Sequence, residues 1–305
     1  MNIAYIISAY KYPDQLIRLV HRLNTPTSVF LIHVDKRTHK QQYREMVSGV
    51  NPLVNVVFLK RHNCYWGDFG HVRATLKGLA YLFQNEVNFD YLFLLTGQDY
   101  PIKSNAFIES FLSRANGKEF ISYYPFPNES WGGDGGLRRI ELWHFRFLED
   151  LPFRFLDPFV HLPSKKEFQS RVKSAIYSSI NMMFTKRALP GNMRPFGGPG
   201  YWCITRECAR FINTFANQNR KFVEFFKYVD IPDEIFFHTV ILNSPFDKNV
   251  VNDDLRCIDI SGGGGPRIWR KGDFKMLTKA KGLIARKFDT SVDSEILDLI
   301  DSKLL

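Results

Sequence analysis

Short and largely apolar runs occur through the N-terminal third of the chain. They are Ile3–Ser8, Val29–Val34, Val54–Leu59 and Tyr91–Leu95. None has a sustained alternation of apolar and polar residues, so the pattern predicts strands that are buried on both faces. Segments with apolar residues at helical spacing separate these runs. The alternation indicates an α/β fold with a single Rossmann-like, mostly parallel sheet flanked by helices.

Helices are predicted between these strands and again in the last third of the chain. Pro13 opens the first helix, and the Asn24-Thr25-Pro26 segment ends it. Tyr201–Ile204 is predicted to be a further strand. The other predicted helices are His39–Met46, Val72–Phe83, Arg206–Asn217, Asp233–Asn243 and Ser294–Leu304.

The chain is predicted to form a single domain over residues 1–305. No internal repeat or flexible linker divides it, and this length is compatible with one large domain. The segment near residues 131–195 is rich in glycine, aromatic and basic residues. We expect this segment to be an insertion of loops and helices at the edge of the sheet.

The chain is strongly basic, with 41 Lys+Arg against 31 Asp+Glu and a formal net charge of +10. Nucleic acid, solubility and an anionic substrate each explain such an excess. The sequence has no long Lys/Arg run, no RNP-like motif and no helix-turn-helix signature, so nucleic acid is disfavoured as a partner. The basic residues are densest in Lys165–Arg194 and Arg267–Lys287.

The four cysteines are too few for a disulfide scaffold, and none forms a C-x-x-C pair. We therefore expect reduced thiols and no structural zinc site. No segment reaches the roughly 18 apolar residues of a membrane span. Met1 leads directly into the first apolar run without a basic leader, so the sequence predicts a cytoplasmic protein.

Parallel sheets bind ligands at the carboxyl ends of their strands. Ser8, Asp35, the Trp66-Gly67 pair and the loop ending at Asp99 follow predicted strands. The G-x-G-x-x-G and G-x-x-x-x-G-K-[ST] fingerprints are both absent, which disfavours dehydrogenases and P-loop NTPases. A nucleotide could still bind through contacts to its base and ribose.

Two further motifs each have a structural and a chemical interpretation. Pro232-Asp233 marks a helix start, and Glu234 in the first turn is either a capping carboxylate or a general base facing a cleft. Arg286-Lys287 is either a solvated surface pair or a clamp for a diphosphate.

Several strings in order carry a resemblance over nearly the whole chain. They are LIHVD, YWGDFGHVRATLKGL, YLFLLTGQDYPIKS, GGPGYWCITRECARFI, PDEIFFHTVILNSPF, NDDLRCIDI and GLIARKFD. The chain resembles glycosyltransferase family 14, the core-2/I-branching β-1,6-N-acetylglucosaminyltransferase and peptide O-xylosyltransferase family. A bacterial-type soluble member is the expected form.

The resemblance implies a GT-A fold, a UDP-sugar donor and inversion at the anomeric carbon. It maps the general base to Glu234, the diphosphate contacts to Arg286 and Lys287, and the uracil or ribose contact to Asp35. Trp66 and Gly67 are expected to line the donor site. Residues 1–125 would form the nucleotide-sugar half, and residues 126–305 the acceptor half with the C-terminal diphosphate clamp.

The D-x-D motif that most GT-A enzymes use to hold a divalent metal is absent. Gln98-Asp99 occupies the loop where it is expected, so side chains are expected to neutralise the leaving diphosphate without a metal or other cofactor. Arg267 and Arg270 are further candidates for this task. The full set of predicted donor contacts is Ser8, Asp35, Trp66, Gly67, Asp99, Arg267, Arg270, Arg286 and Lys287, and the predicted acceptor contacts are Trp131, Arg139, His144 and Trp202.

The sequence thus predicts an inverting, metal-independent glycosyltransferase that moves a sugar from UDP to a hydroxyl of a glycan or glycolipid acceptor. N-acetylglucosamine and xylose lead as the sugar, with glucose and galactose also open. The alternatives are a GT-A-fold protein that binds UDP-sugar or carbohydrate without turnover and a basic nucleic-acid-binding protein. As a further hypothesis, the Lys165–Arg194 cluster faces an anionic membrane at its inner face, as a peripheral contact.

Overall fold

A computed structural model of the protein describes residues 1–144, 186–261 and 265–305. Within these ranges the chain forms twelve strands. They are β1 Ile3–Ala9, β2 Ser28–Val34, β3 Val56–Phe58, β4 Tyr91–Thr96, β5 Asp99–Pro101, β6 Glu119–Ile121, β7 Tyr124–Pro125, β8 Phe196–Gly197, β9 Trp202–Thr205, β10 Val250–Val251, β11 Arg256–Ile258 and β12 Ile284–Arg286.

Ten α-helices connect and cover these strands in the same ranges. They are α1 Pro13–Leu23, α2 Lys40–Val50, α3 Gly70–Gln84, α4 Asn105–Ala115, α5 Arg138–Glu141, α6 Arg206–Gln218, α7 Arg220–Phe226, α8 Phe236–Leu242, α9 Phe274–Lys279 and α10 Glu295–Lys303. Among the residues described, no helix is both long and apolar enough to span a membrane.

The main sheet has seven strands in the order β10-β6-β9-β4-β1-β2-β3. β1 runs parallel to both β2 and β4, and β9 is antiparallel to β4 and β6. The predicted α/β class with a mostly parallel central sheet is confirmed. Two small sheets, β11-β12-β5 and β7-β8, were not predicted from the sequence.

Alternate residues of the central strands supply two separate cores, one on each face of the main sheet. Tyr5 stacks on Phe30 and Phe93 on one face, with ring centroids 5.1 and 5.7 Å apart. Ile6 points to the other face and packs toward α3 at Gly78, where a Cβ would lie 2.7 Å from its Cδ1. Helices cover both faces, which explains why the strands are apolar without alternation.

Three predicted boundaries differ from the structure for local physical reasons. β3 begins two residues late because the side chain of Val54 is fully exposed. α2 continues beyond Met46 because Val50 is buried against the core. The helix predicted from Asp233 is interrupted, because Pro232–Glu234 forms a 3₁₀ turn and Ile235 has non-helical angles before α8 begins.

The predicted insertion near residues 131–195 lies largely outside the described residues, as does the Lys165–Arg194 cluster up to residue 185. Arg187 belongs to the predicted basic cluster, but the structure buries it. Its guanidinium is buried against Trp143 and Phe225 and donates to the backbone oxygens of Leu142, Phe225 and Tyr228. Burial lowers its pKa to about 10. This residue therefore fixes loop structure and is not part of a surface that could face a membrane.

The stacked ring of Phe93 gives a test of the sheet core. We expect Phe93→Ala to lower the free energy of unfolding by about 3–5 kcal/mol, because the buried ring leaves a cavity against Tyr5. Phe107, which is 45% exposed on α4, is the matched control. Its change to alanine should cost about 0.5 kcal/mol or less in urea denaturation. Equal losses for both variants would contradict the assignment of the core.

Candidate active site

A cavity of about 630 Å³ opens at the carboxyl ends of β1 and β4. This is the edge of a parallel sheet where ligands bind, and the volume is in the range of small-molecule sites. Each of the three described ranges of the chain contributes residues to its lining. The polar and aromatic members are Ser8, Trp66, His71, Thr75, Thr96, Tyr124, Ser130, Trp131, Arg139, Tyr201, Asp233, Glu234 and Arg286.

A buried charge network forms one wall of this cavity. The antiparallel register of β12 and β5 places Arg286 opposite Asp99, and its Nη1 donates to Asp99 Oδ1 at 2.8 Å. Arg286 also donates to Thr96 Oγ1. The other oxygen of Asp99 lies 4.0 Å from Nε of Arg256, whose side chain is fully buried. One carboxylate thus faces two guanidinium groups.

Tyr201 separates the two guanidinium groups. Its ring lies 4.6 Å from Cζ of Arg256 and 5.0 Å from Cζ of Arg286. Burial opposes the charge of Arg286, but Tyr201 and Asp99 outweigh that effect and raise its pKa. The guanidinium therefore stays charged, and it is held by partners on its buried side while it lines the cavity. It is suited to bind an anion there.

Lys287 lies beside this wall, although it does not line the cavity. Burial lowers its pKa, and the nearby charges of Arg286 and Lys11 lower it further. Lys11 is drawn toward Asp289, with Nζ 3.5 Å from Oδ2. Repulsion among three neighbouring cations marks a region of positive potential, which an anionic ligand would relieve.

Glu234 also lines the cavity and lies on the Pro232–Glu234 turn. Its Oε2 accepts a hydrogen bond from Nη1 of Arg139 at 2.9 Å, and 34% of its side chain is exposed. The guanidinium of Arg139 also stacks on Trp131, with Cζ 4.0 Å from the ring. The carboxylate is therefore held in one direction and still reaches the open cavity.

The pKa of Glu234 is raised to about 7, first by burial and then by the adjacent carboxylate of Asp233, while Arg139 acts in the opposite sense. Oδ1 of Asp233 is buried without a hydrogen-bond partner among the residues described. Burial likewise raises the pKa of Asp233. A carboxylate with a pKa near neutrality is matched to accept a proton at physiological pH.

The loop after β3 forms the rim of the cavity. Gly67 has a φ of 74°, a left-handed conformation that favours glycine. Its carbonyl accepts a hydrogen bond from the Ile231 amide at 3.1 Å, which joins this loop to the segment preceding Glu234. Trp66 is 67% exposed and lines the cavity. A tryptophan at a cavity rim can stack on a sugar or a base.

The structure brings several predicted site residues together and places others elsewhere. The cavity collects Ser8, Trp66, Gly67, Trp131, Arg139, Glu234 and Arg286. Asp99 is fully buried and holds Arg286 by accepting a hydrogen bond from its guanidinium group. Asp35 is 5% exposed and accepts three hydrogen bonds from the Arg37 side chain, so it lies outside the cavity lining.

The other predicted contact residues lie outside the cavity lining. Arg267 pairs with Asp259 and Asp273. Arg270 is exposed and lies outside the lining. Trp202 is fully buried on β9, where it packs against Phe237. It is therefore a core residue and does not reach the cavity as the predicted acceptor contact would.

His144 is buried apart from the cavity. Its Nε2 lies 3.2 Å from the carbonyl oxygen of Arg138, and its amide donates to Tyr228. These contacts place it behind α5, which carries Arg139. Its position is suited to support that helix, and a direct acceptor contact stays a prediction.

Among the residues described, His33, His62 and Cys64 form a group whose ligand atoms lie within 4.8 Å of one another. Nε2 of His33 accepts the His62 amide at 3.2 Å, and its Nδ1 lies 3.9 Å from Cys64 Sγ. Nδ1 of His62 faces Lys77 Nζ, and its Nε2 faces the Gly70 carbonyl. Burial raises the pKa of the Cys64 thiol. Every ring nitrogen has a polar neighbour, so these residues form a hydrogen-bonded cluster in this structure.

Sequence reasoning missed four residues that build the site. Thr96 and Arg256 hold the charge network, Tyr201 separates its cations, and Asp233 raises the pKa of Glu234. The signals were present only in part. Thr96 stands in the LLTGQD string and Asp233 in the PDE string, but nothing in the sequence places Arg256 against Asp99.

The sequence profile of the Core-2/I-branching enzyme family matches residues 3–140 and 146–281. The chain belongs to this family. The family predicted from the sequence motifs is therefore confirmed. The match spans both the strands that end at the cavity and the turn that carries Glu234, while Arg286 lies just beyond its end.

Individual members of the Core-2/I-branching enzyme family are distant relatives. Xylosyltransferase 2 of Rattus norvegicus is 26% identical over 328 residues, covering 100% of this chain and 34% of that protein. Xylosyltransferase 1 of Rattus norvegicus is 24% identical, and the match covers 100% of this chain and 35% of that protein. Xylosyltransferase 2 of Homo sapiens is 25% identical, with 100% and 34% covered. The chain spans about a third of the length of these relatives.

Solved structures give weaker likenesses. Core-mannan synthase A of Aspergillus fumigatus, in its Mn/GDP form, has a TM-score of 0.32 and 10% identity over 81% of this chain and 71% of that chain. The mannosyltransferase Ktr4p of S. cerevisiae has a TM-score of 0.31 and 9% identity over 77% and 65%. The family match, and not these structures, identifies the chain.

The titration of Glu234 tests the electrostatics of the site without any substrate. Carboxyl-detected NMR should give an apparent pKa near 7. Asp233→Asn removes a neighbouring negative charge and should lower that pKa, whereas Arg139→Gln removes a positive charge and should raise it. A pKa that stays at the ordinary value for glutamate, or two shifts of the same sign, would contradict the described arrangement.

Proposed function

We propose that this member of the Core-2/I-branching enzyme family is an inverting glycosyltransferase that needs no metal. It would transfer N-acetylglucosamine or xylose from a UDP-sugar to an acceptor hydroxyl in the synthesis of a glycan or polysaccharide. The observation that carries the proposal is a single cavity lined both by a carboxylate of raised pKa, Glu234, and by a buried cation, Arg286.

These two groups match the two charges that move in glycosyl transfer. The acceptor oxygen forms a bond to the anomeric carbon while its proton passes to Glu234. The bond from that carbon to the diphosphate oxygen breaks, and the electron pair leaves with UDP. A single displacement of this kind inverts the anomeric carbon and uses one carboxylate, unlike the paired carboxyl groups of a glycosidase.

The positive wall supports the leaving step. Arg286 is held by Asp99 and Thr96 before any ligand arrives, so its charge needs no reorganisation as the diphosphate departs. Lys287 adds a second charge beside it. These side chains would do the work that a divalent cation bound to a D-x-D motif does in other GT-A enzymes, and the sequence has no such motif.

The ion pair between Arg139 and Glu234 favours a second candidate, a protein that binds UDP-sugar or carbohydrate without turnover. Arg139 occupies one oxygen of the carboxylate in this structure. If that contact persisted in the complex, Glu234 would be a weak base. Transfer or donor hydrolysis separates the two candidates, because the binding protein would hold UDP and release no product.

A screen of UDP-sugars tests binding and turnover together. A donor at 100 times its Kd should raise the stability of the protein by about 2.7 kcal/mol in thermal denaturation. With that donor, Glu234→Gln should lower kcat by roughly 10²–10⁴-fold, because the base is lost. Glu207→Gln, at an exposed position on α6, is the control and should retain full activity. Turnover by Glu234→Gln at the wild-type rate would contradict the assignment of the base.

Metal independence has its own test. Because Arg286 and Lys287 supply the positive charge, excess EDTA should leave kcat and the KM for the donor unchanged. Arg286→Gln should weaken UDP binding by more than tenfold, since a charge-assisted hydrogen bond contributes about 1.5–3 kcal/mol. A strict requirement for Mn²⁺, with activity restored on its addition after EDTA, would overturn this part of the proposal.

A further inference from the structure

A second hollow, of about 490 Å³, lies behind the rim of the cavity. We call it the basic groove. It is lined by Lys36, Arg61, His62, Asn63, Tyr65, Asp68, Phe69, Gly70, Arg73, Lys227 and Tyr228. Four of these side chains are lysine or arginine and one is a carboxylate. No role predicted from the sequence accounts for this accumulation of positive charge.

The four cations differ in how far they are committed to other partners. Arg61 donates to the carbonyl oxygens of Asp35, Lys36 and Thr38, so it holds the loop together. Lys227 pairs with Glu224 at 2.6 Å. Lys36 and Arg73 are exposed and have no carboxylate partner among the described residues. These two charges are available to a ligand.

The pKa shifts of two titratable neighbours are in the direction expected beside an accumulation of cations. Burial lowers the pKa of Lys77, and Arg73 and Lys60 lower it further. Burial also lowers the pKa of His62, and Lys77 and Arg73 act in the same sense. Asp68 is the one carboxylate among the described residues of this lining; its Oδ1 accepts the Gly70 amide, and burial raises its pKa while the charge of Arg73 acts in the opposite sense. An anion in the groove would relieve this repulsion.

The basic groove and the cavity share one thin wall. Along the loop after β3, Trp66 and Gly67 line the cavity, whereas the flanking Tyr65 and Asp68 line the groove. The second layer of the wall, residues 228–231, divides in the same way, and its Ile231 amide donates to the Gly67 carbonyl. The exposed indole of Trp66 therefore lines the cavity, next to residues that line the groove.

We propose that the basic groove binds an acidic sugar unit of the acceptor glycan, a unit that carries a carboxylate or phosphate next to the residue that receives the transferred sugar. Lys36 and Arg73 contact the anion, and Tyr65, Phe69 and Tyr228 form part of the concave lining around it. The concave shape fits a sugar better than the flat surface of a bilayer. The assignment of this sugar to an acceptor rests on the proposed function. The affinity of the groove for an acidic sugar does not depend on it.

Direct binding is the first test. Glucuronate and glucose 6-phosphate are titrated into the full-length protein at low salt and followed by NMR, with glucose as the neutral counterpart. Both acidic sugars should bind, glucose should bind at least tenfold more weakly, and added salt should reduce binding. Arg73→Gln and Lys36→Gln should each weaken binding about tenfold, and Lys118→Gln, at an exposed position before β6, should not. Equal binding of glucose, or wild-type affinity in both variants, would overturn the proposal.

Kinetic and vesicle-binding measurements then show whether the anion belongs to the acceptor, to the donor nucleotide or to a membrane. With a functional donor, Arg73→Gln should raise the KM for a glucuronate-containing acceptor relative to its carboxyl-reduced form. A rise confined to the KM of the donor would assign the groove to the nucleotide and overturn the proposal. Loss of binding to phosphatidylglycerol vesicles with unchanged binding of glucuronate would assign it to a membrane and also overturn it. Glucuronate binding without any transfer would support the groove and contradict the proposed function.

Discussion

One buried carboxylate organises the candidate active site. Asp99 lies between the guanidinium groups of Arg286 and Arg256, and the antiparallel pairing of β12 with β5 fixes the first of these contacts. Removing one partner from such a buried set leaves an uncompensated charge, at a cost of about 3–5 kcal/mol. The same carboxylate accepts the Thr96 amide at the end of β4. The small sheet, the main sheet and the cation of the cavity are thus joined at a single residue.

The carboxylate that lines the same cavity, Glu234, depends on a balance of charges. Asp233 raises the pKa of Glu234, and Arg139 lowers it while also stacking on Trp131. Neither effect follows from the identity of Glu234 alone. The shared wall at Gly67 and Ile231 then ties this part of the cavity to the basic groove. Any change in that wall would alter both hollows, so the geometry of the base and that of the groove are linked.

The sequence predicted the main sheet well because its signal is local. Apolar runs in β1, β2 and β4 are dictated by burial on both faces, and each can be recognised without knowing what packs against it. Glu234 and Arg286, which the structure places in the lining of one cavity, were predicted because they stand in specific motifs. Trp202 was misread, since an aromatic residue next to a motif has the same appearance whether it faces a cavity or the core. The contact between Arg256 and Asp99 joins residues far apart in the sequence, and local patterns carry no record of it.

The position of Arg286 after the main sheet in the chain has a consequence for biosynthesis. Every strand of the main sheet lies between Ile3 and Val251, whereas β12 begins at Ile284. Because chains are made from the N-terminus and fold as they emerge, the sheet and the turn with Glu234 leave the ribosome before the guanidinium that lines the same cavity. A nascent chain that stops before β12 would hold the carboxylate of the cavity and lack this cation. Synthesis of the β12 segment is therefore what adds the cation to the site.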